Sequence, residues 1–461
     1  MRPFLLIDFG STYTKVAAVD ADAAALLGTA QAPTTVRTGL SHGLGEALEK
    51  LWQKTGPLDF ARRLACSSAA GGLRMAAVGL VPELTVEAAR RAALGAGARL
   101  LAAYGYKLSR VEIARLEELS PDLILLAGGT DGGNEEVVLA NAALLAGARF
   151  EAPLIVACNK SVAERVAEML RRGGKTAVVT ANVLPELGRV ETEPARAEIR
   201  RLFLERIVRA KGLDEVAAMI DGILMPTPAA ALRAAELLAQ GPGGEPGWGE
   251  LVLVDLGGAT TDMHSLAAGT PSRPEMLWKG LPEPFAKRTV EGDLGMRYSA
   301  TALIEACGLE RAAAAAGLEP GRVRAGVEAR AGDAAFLPAS DEERRIEEAL
   351  AILAVSTAVK RHAGVLETLH TPFGASHILR GKDLTPVGRV IGSGGVFLAS
   401  SDPARLLAGA AFDPGEPDVL KPMHPEYYLD RDYIMPAMGL LAAEAPGAAY
   451  RLMNEHVVKV G

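Results

Sequence analysis

The chain has 461 residues, and its 49 Lys and Arg against 56 Asp and Glu leave a formal charge of −7. That length exceeds a single hydrophobic core, so two to four domains are expected, and with aromatics at only 5% their cores must be filled by Ala, Leu and Val. The acid excess argues against a protein that works mainly by gripping nucleic-acid backbone, and no run of eighteen apolar residues offers a membrane span. Residues 3–7 and 13–19 are expected as short strands around a polar turn at Gly10, Ser11 and Thr12. Asp8 interrupts the N-terminal apolar run too early for a secretory signal. Three widely spaced cysteines, Cys66, Cys158 and Cys307, suit a reduced compartment, so a cytoplasmic location is expected.

From 64 to 215 short apolar runs alternate with helical stretches. The candidate strands are RLACSS (63–68), RMAAVGLV (74–81), LILLAG (123–128), LIVAC (154–158) and TAVVTA (176–181). Segments 86–105 and 160–174 read as helices between them, so this region is expected to be an inserted α/β domain with a mostly parallel sheet. Its glycine-rich stretch 128–134 reads equally well as a βα ligand loop or as a plain turn. The segment 241–249 is a loop by composition, and 270–284, broken by prolines, is expected to cross the surface. Residues 341–363 form one long amphipathic helix, acidic at its start and basic at its end, as the helix dipole favours.

Three glycine-rich motifs carry the chemistry. In the first, DFGSTYTK (8–15), a buried strand delivers Asp8 to a turn of Gly10, Ser11, Thr12 and Tyr13, with Lys15 just beyond. Backbone N–H groups and hydroxyls in such a turn can hold phosphate oxygens, while a carboxylate can hold a hydrated Mg²⁺. The second, DLGGATTD (255–262), repeats the plan with Asp255, Gly257, Gly258, Ala259 and Thr260, and ends on a further carboxylate, Asp262. Two such turns, far apart in sequence, suit a triphosphate clamped from both sides. The third, VIGSGGVF (390–397), runs a strand into Gly392, Gly394 and Gly395, a turn able to lie against a purine or ribose, or simply to connect strand and helix.

In this order the motifs resemble the two phosphate motifs and the adenosine motif of the actin-like ATPase superfamily. PTPAAAL (226–232) is similar to that superfamily's first connecting helix, and DYIMPAMGLL (432–441) to its second, with Gly439 at their crossing. The resemblance implies a two-lobed, ribonuclease H-like α/β fold binding ATP and Mg²⁺, with Asp8, Asp255 and Asp262 at the metal. Asp8 and Asp255 would also orient the attacking water. The implied division is a first lobe begun by 1–63, the insertion at 64–215, a connecting helix and linker at 216–250, a second lobe at 251–435, and a terminal helix and tail at 436–461. In the chaperone branch an acidic residue precedes the first connecting helix; Met225 stands there instead, which sets nucleotide binding ahead of rapid hydrolysis.

A closer resemblance runs from residue 7 to about 300 through IDFGSTYTKVAAV, LILLAGGTDGGN, VDLGGATTDMHS and TVEGDLGMRYSA. These segments look like the accessory proteins of adenosylcobalamin-dependent glutamate mutase, the MutL type that is unrelated to the DNA-repair protein of that name. It implies an ATP-driven reactivating factor whose partners are the subunits of a cobalamin mutase, with a homodimer left open. The rival reading is a small-molecule kinase of the same superfamily. Three other features count for less. GGKT (173–176) lacks the first glycine of a phosphate-binding loop, since Met169 holds that place. His362, His370 and His377 are too loosely spaced for a metal site and read as surface residues. The scattered cysteines disfavour the iron–sulfur activators that share the fold.

Overall fold

A computed structural model describes residues 2–35, 39–68, 73–210, 216, 219–371 and 374–461. Within it the same sheet is built twice. In the first lobe the strands Pro3–Phe9, Tyr13–Asp20 and Ala25–Pro33 form an antiparallel meander, and Arg62–Ser67 and Gly222–Pro226 continue it in parallel on the other side of Pro3–Phe9. In the second lobe Leu251–Leu256, Thr261–Leu266 and Ala286–Glu291 make the meander, and Arg389–Ser393 and Glu426–Asp430 continue it in parallel. This duplicated topology is the ribonuclease H-like, actin-like fold expected from the three motifs.

The leading strand of each lobe is apolar except for one Asp near its end, because both of its faces are covered. In the first, Leu5, Ile7 and Phe9 pack toward helix Leu40–Thr55, while Phe4 and Leu6 face the centre of the molecule. In the second, Val252 and Val254 meet helix Asp341–His362, while Leu251 and Leu253 face the same centre. That long helix is fixed at its start by a reciprocal cap between Ser340 and Glu343. The central layer is a pair of crossing helices, Thr227–Gln240 and Met435–Leu441. The first is rich in alanine, and Gly439 of the second lies so close that a Cβ there would fall 1.9 Å from the Ala230 carbonyl oxygen.

Between Arg62–Ser67 and Gly222–Pro226 the chain builds a separate, wholly parallel sheet. Its strands are Arg74–Val78, Arg99–Tyr104, Leu123–Leu126, Leu154–Val156 and Ala177–Val179, with Arg99–Tyr104 at one edge beside Arg74–Val78. Several expected boundaries shift. Position 64 falls inside a strand of the first lobe's own sheet, and the expected end at 215 lies outside the described residues. The helix expected over 86–105 stops at Gly95, because Gly97 adopts a φ of +90°, and the chain re-emerges as strand Arg99–Tyr104. The segment assigned to a connecting helix and linker also supplies the edge strand Gly222–Pro226. The terminal segment is no tail: Val457–Val460 pairs antiparallel with Glu426–Asp430 and completes the second sheet.

The inserted sheet shares a core with the first lobe. Met75, Ala77, Leu123, Leu125 and Ile155 pack in the same cluster as Ile7 and Phe9. A second cluster, with Val78, Leu126, Val156 and Val166, covers the sheet's other face. Among the described residues no helix is long and apolar enough to cross a membrane.

Candidate functional site

Each leading strand ends in its carboxylate, and each hairpin closes in the same way. Gly10 N–H donates to the Tyr13 carbonyl at 3.1 Å, and Gly257 N–H donates to the Thr260 carbonyl at 2.9 Å. The two turns face each other across the lobes: a Cβ added to Gly258 would lie 3.8 Å from the Thr12 hydroxyl oxygen and 3.5 Å from Arg297. The third motif comes in beneath them. Strand Arg389–Ser393 lies parallel to Leu251–Leu256, and Gly394, at φ +126°, approaches so closely that a Cβ would sit 2.3 Å from the Leu256 carbonyl oxygen. A Cβ on Gly395 meets nothing within 4 Å, which leaves that backbone open. Gly392, in contrast, is packed against Leu407 and Phe397 inside the lobe.

Strand register explains why the two carboxylates differ. Asp8 lies opposite Lys15, whereas Asp255 lies opposite another acid, Asp262. Burial raises the pKa of Asp8, opposed by Lys15 and by hydrogen bonds from the Thr227 hydroxyl at 2.5 Å and the Cys66 thiol at 3.6 Å. Burial also raises Asp255, and the Asp262 charge adds to it, bringing the group to about 7. Lys15 serves as a shared counter-ion. Burial lowers its pKa against the pull of Asp8, Asp255 and Asp430, and its ammonium sits 3.1 Å from the centre of the Tyr433 ring.

Three residues here escaped the sequence reading. Asp430 ends strand Glu426–Asp430 as Asp8 and Asp255 end theirs; it accepts from Ser393 at 2.9 Å and from the N–H groups of Ile434 and Met435. It thereby fixes the entry to the second connecting helix. Its signal was present in EYYLD followed by a helix opening at Met435-Pro436, a third strand-to-carboxylate junction. Thr227 and Tyr433 carry no comparable signal. A cleft of about 500 Å³ adjoins the cluster, lined by Asp8, Lys15, Tyr433, Leu398 and, farther out, Lys50 and Arg431.

Asp262, across the hairpin from Asp255, accepts from Nε of buried Arg288 at 2.8 Å and from the Thr260 hydroxyl at 3.2 Å, so an ion pair engages its carboxylate. His362 departs from the surface reading. It is buried, bonded to Thr289 and Ser265 at 2.8 Å each, and burial holds it neutral. The three cysteines are all free and buried.

Among the described residues no three His, Cys, Asp or Glu side chains gather as a metal site. A Mg²⁺ ion with a nucleotide needs less: one or two carboxylates, the rest of its shell coming from water and phosphate. Asp8 and Asp255 at the two glycine turns fit that requirement. Gly258, carrying no side chain, leaves the approach between the two turns open, where a Cβ would come into contact with Arg297 and the Thr12 hydroxyl.

A protein-family model described as "MutL protein" matches residues 4–457. A curated relative, "Protein MutL" of Clostridium tetanomorphum, is 49% identical over 462 residues, covering 100% of both chains. Among solved structures the chain is similar to the activator of 2-hydroxyisocaproyl-CoA dehydratase from Clostridium difficile with bound ADPNP, at 10% identity over 98% of this chain and 97% of that one, with a TM-score of 0.34. It is also similar to a ligand-bound xylulose kinase from Lactobacillus acidophilus, at 9% identity over 100% and 93%, with a TM-score of 0.36. Likenesses this distant bear on neither activity nor ligand.

Proposed function

We propose, from the premise that this chain belongs to the MutL protein family, that it is an ATP-dependent accessory factor that reactivates an adenosylcobalamin-dependent mutase, such as glutamate mutase or a related aminomutase. The observation that carries the nucleotide half of this reading is the pair of matched strand–Asp–Gly hairpins opposed across two lobes. The resemblance to glutamate mutase accessory proteins supplies the partner. In this reading Asp8 and Asp255 hold hydrated Mg²⁺ and orient the attacking water, while the metal neutralises phosphate charge. Ser11, Thr12 and Tyr13 with the Gly10 turn, and Gly257, Gly258, Ala259 and Thr260 opposite, grip phosphate oxygens. Lys15 adds charge, and Gly394 and Gly395 face the adenosine. Gly392 holds its strand against the lobe. ATP then favours the closed arrangement, and its hydrolysis or loss lets the lobes part.

A bulky residue at Gly258 tests the clamp. Its φ is ordinary and the space beside it is modest, so Gly258→Val should fold, yet fill the gap toward Thr12. The expected result in titration calorimetry is a loss of ATP affinity of about tenfold or more, equivalent to ~1.4 kcal/mol, with an unchanged circular dichroism spectrum. Wild-type affinity in that variant would remove the facing turns from the site.

The pH dependence follows from Asp255. Only its ionised form holds a dication, so Mg-ATP affinity should rise between pH 6 and pH 8, through the pKa of about 7. The free protein behaves oppositely. A carboxyl whose pKa is raised from 3.8 retains a proton that the unfolded chain has shed, so its cost to folding grows as pH rises toward 7. Asp255→Asn should therefore raise the ligand-free melting temperature at pH 8 while weakening Mg-ATP binding. A lowered melting temperature with intact binding would contradict both statements. ATP turnover with and without a mutase, and against a panel of sugars and acids, tests the activity itself. Strong stimulation by a sugar or acid alone would favour the kinase reading.

A further inference from the structure

The buried ion pair between Arg288 and Asp262 joins the second hairpin to the inserted domain. Arg288, on strand Ala286–Glu291 of the second lobe, is 5% exposed. On one side its guanidinium is bonded to Asp262, whose other oxygen reaches the Thr260 hydroxyl in the Gly257 turn. On the other side, Nη1 donates to the carbonyls of Leu94 at 3.0 Å and Ala98 at 2.8 Å. These carbonyls close the C-terminal end of helix Glu87–Gly95, where backbone acceptors lack helical partners and a cation is favoured.

That helix belongs to the inserted domain, yet its inner face, Ala88, Ala89, Ala92 and Ala93, is part of the core shared with Ile7 and Phe9 of the first lobe. Its C-terminal turn also abuts the first connecting helix, since a Cβ on Gly97 would lie 3.1 Å from Ala229. Arg91 makes a second attachment, donating to the Pro282 carbonyl at 2.6 Å and pairing with Glu283 at 3.2 Å. Asp262 and Arg288 thus form a continuous hydrogen-bonded path from the Gly257 turn of the second hairpin to the end of this helix.

We propose that Arg288 is a positioning residue that relays the state of the Gly257–Gly258 turn to the inserted domain, tightening the Leu94–Ala98 turn when the turn is engaged. This rests on the reading of that turn as a phosphate clamp. A guanidinium is suited to the task because its rigid fork binds the carboxylate and both carbonyls at once, which a lysine ammonium on a flexible stem does not reproduce. Coupling of this kind is reciprocal: a partner that shifts the helix end alters nucleotide affinity by the same factor.

The test is hydrogen–deuterium exchange over residues 94–98, with and without Mg-ATP, in wild type, Arg288→Lys and Asp262→Asn, with nucleotide affinity measured in parallel. In wild type, Mg-ATP should slow exchange there by about fivefold or more, the lower end of ordinary allosteric coupling. Both variants should bind Mg-ATP and lose that change. Asp262→Asn is nearly isosteric and leaves Arg288 its two carbonyl partners, so it decides the matter if Arg288→Lys does not fold. A purely structural arginine would speed exchange equally with and without nucleotide, leaving the ratio intact, and that result overturns the relay. Binding of Mg-ATP by wild type with no change over 94–98 overturns the relay alone. Failure of wild type to bind Mg-ATP overturns the clamp and the relay together.

Discussion

An Asp8→Ala chain should melt at the same temperature with and without Mg-ATP, whereas wild type should gain about 3 °C. The gain follows from linkage: a ligand at a hundred times its Kd stabilises by about 2.7 kcal/mol, and at ~2.1 cal/mol/K of unfolding entropy per residue a chain of 461 residues shifts by about 1 °C per kcal/mol. Asp8 is chosen because its buried carboxylate stands at the first turn beside Lys15 and is held by Thr227 from the connecting helix. Removing it leaves the Thr227 hydroxyl and Cys66 thiol without that acceptor, but it also removes a buried acid whose ionisation opposes folding. The ligand-free melting temperature should therefore change little. A full ligand-induced gain in Asp8→Ala, measured by scanning fluorimetry, would detach the metal from this carboxylate.

Much of this arrangement was legible before the structure, for a definite physical reason. Glycines at positions 10 and 394 are imposed by close backbone approach, and a strand delivering Asp to a glycine turn is a pattern that can be read locally. Such features are local in sequence. What escaped was non-local. That an ion pair engages Asp262 depends on Arg288 standing opposite His264 on the neighbouring strand, and on two carbonyls some 190 residues earlier in the chain. The residue pattern at 255–262 cannot express that. The boundary at 64 failed for a related reason: RLACSS reads as an α/β strand in either sheet, and only its pairing with Pro3–Phe9 decides which. Helix 86–105 failed locally, because alanine-rich GAGARLLAAY supports helix by propensity while Gly97 breaks it.

The other large effect concerns the crossing of the two connecting helices. Gly439→Ala should destabilise the protein by about 3 kcal/mol or more, at the upper end of the cost of overpacking. A methyl there would lie 1.9 Å from the Ala230 carbonyl oxygen and 2.6 Å from its carbon. The obstacle is backbone in both helices, so no side chain can swing aside and the helices must separate. Their contact also ties the two lobes, because Ala230 and Ala231 share a core with Leu6 on one side and Leu253 on the other. Gly447→Ala, in the next helix and with nothing within 4 Å of an added Cβ, is the control and should be neutral or slightly stabilising. A denaturation midpoint for Gly439→Ala within ~1 kcal/mol of wild type would show that the helices do not meet so closely.

The central claim is that nucleotide binding at the opposed turns drives reactivation of a cobalamin enzyme. It is tested most directly by turnover of an adenosylcobalamin-dependent mutase inactivated with cyanocobalamin, then incubated with this protein, ATP, Mg²⁺ and fresh adenosylcobalamin. Activity should return only when all are present, and should fail to return with Gly258→Val or Asp8→Ala in place of wild type. Equal recovery without the protein, or equal recovery with either variant, across glutamate mutase and the related aminomutases, would contradict the account.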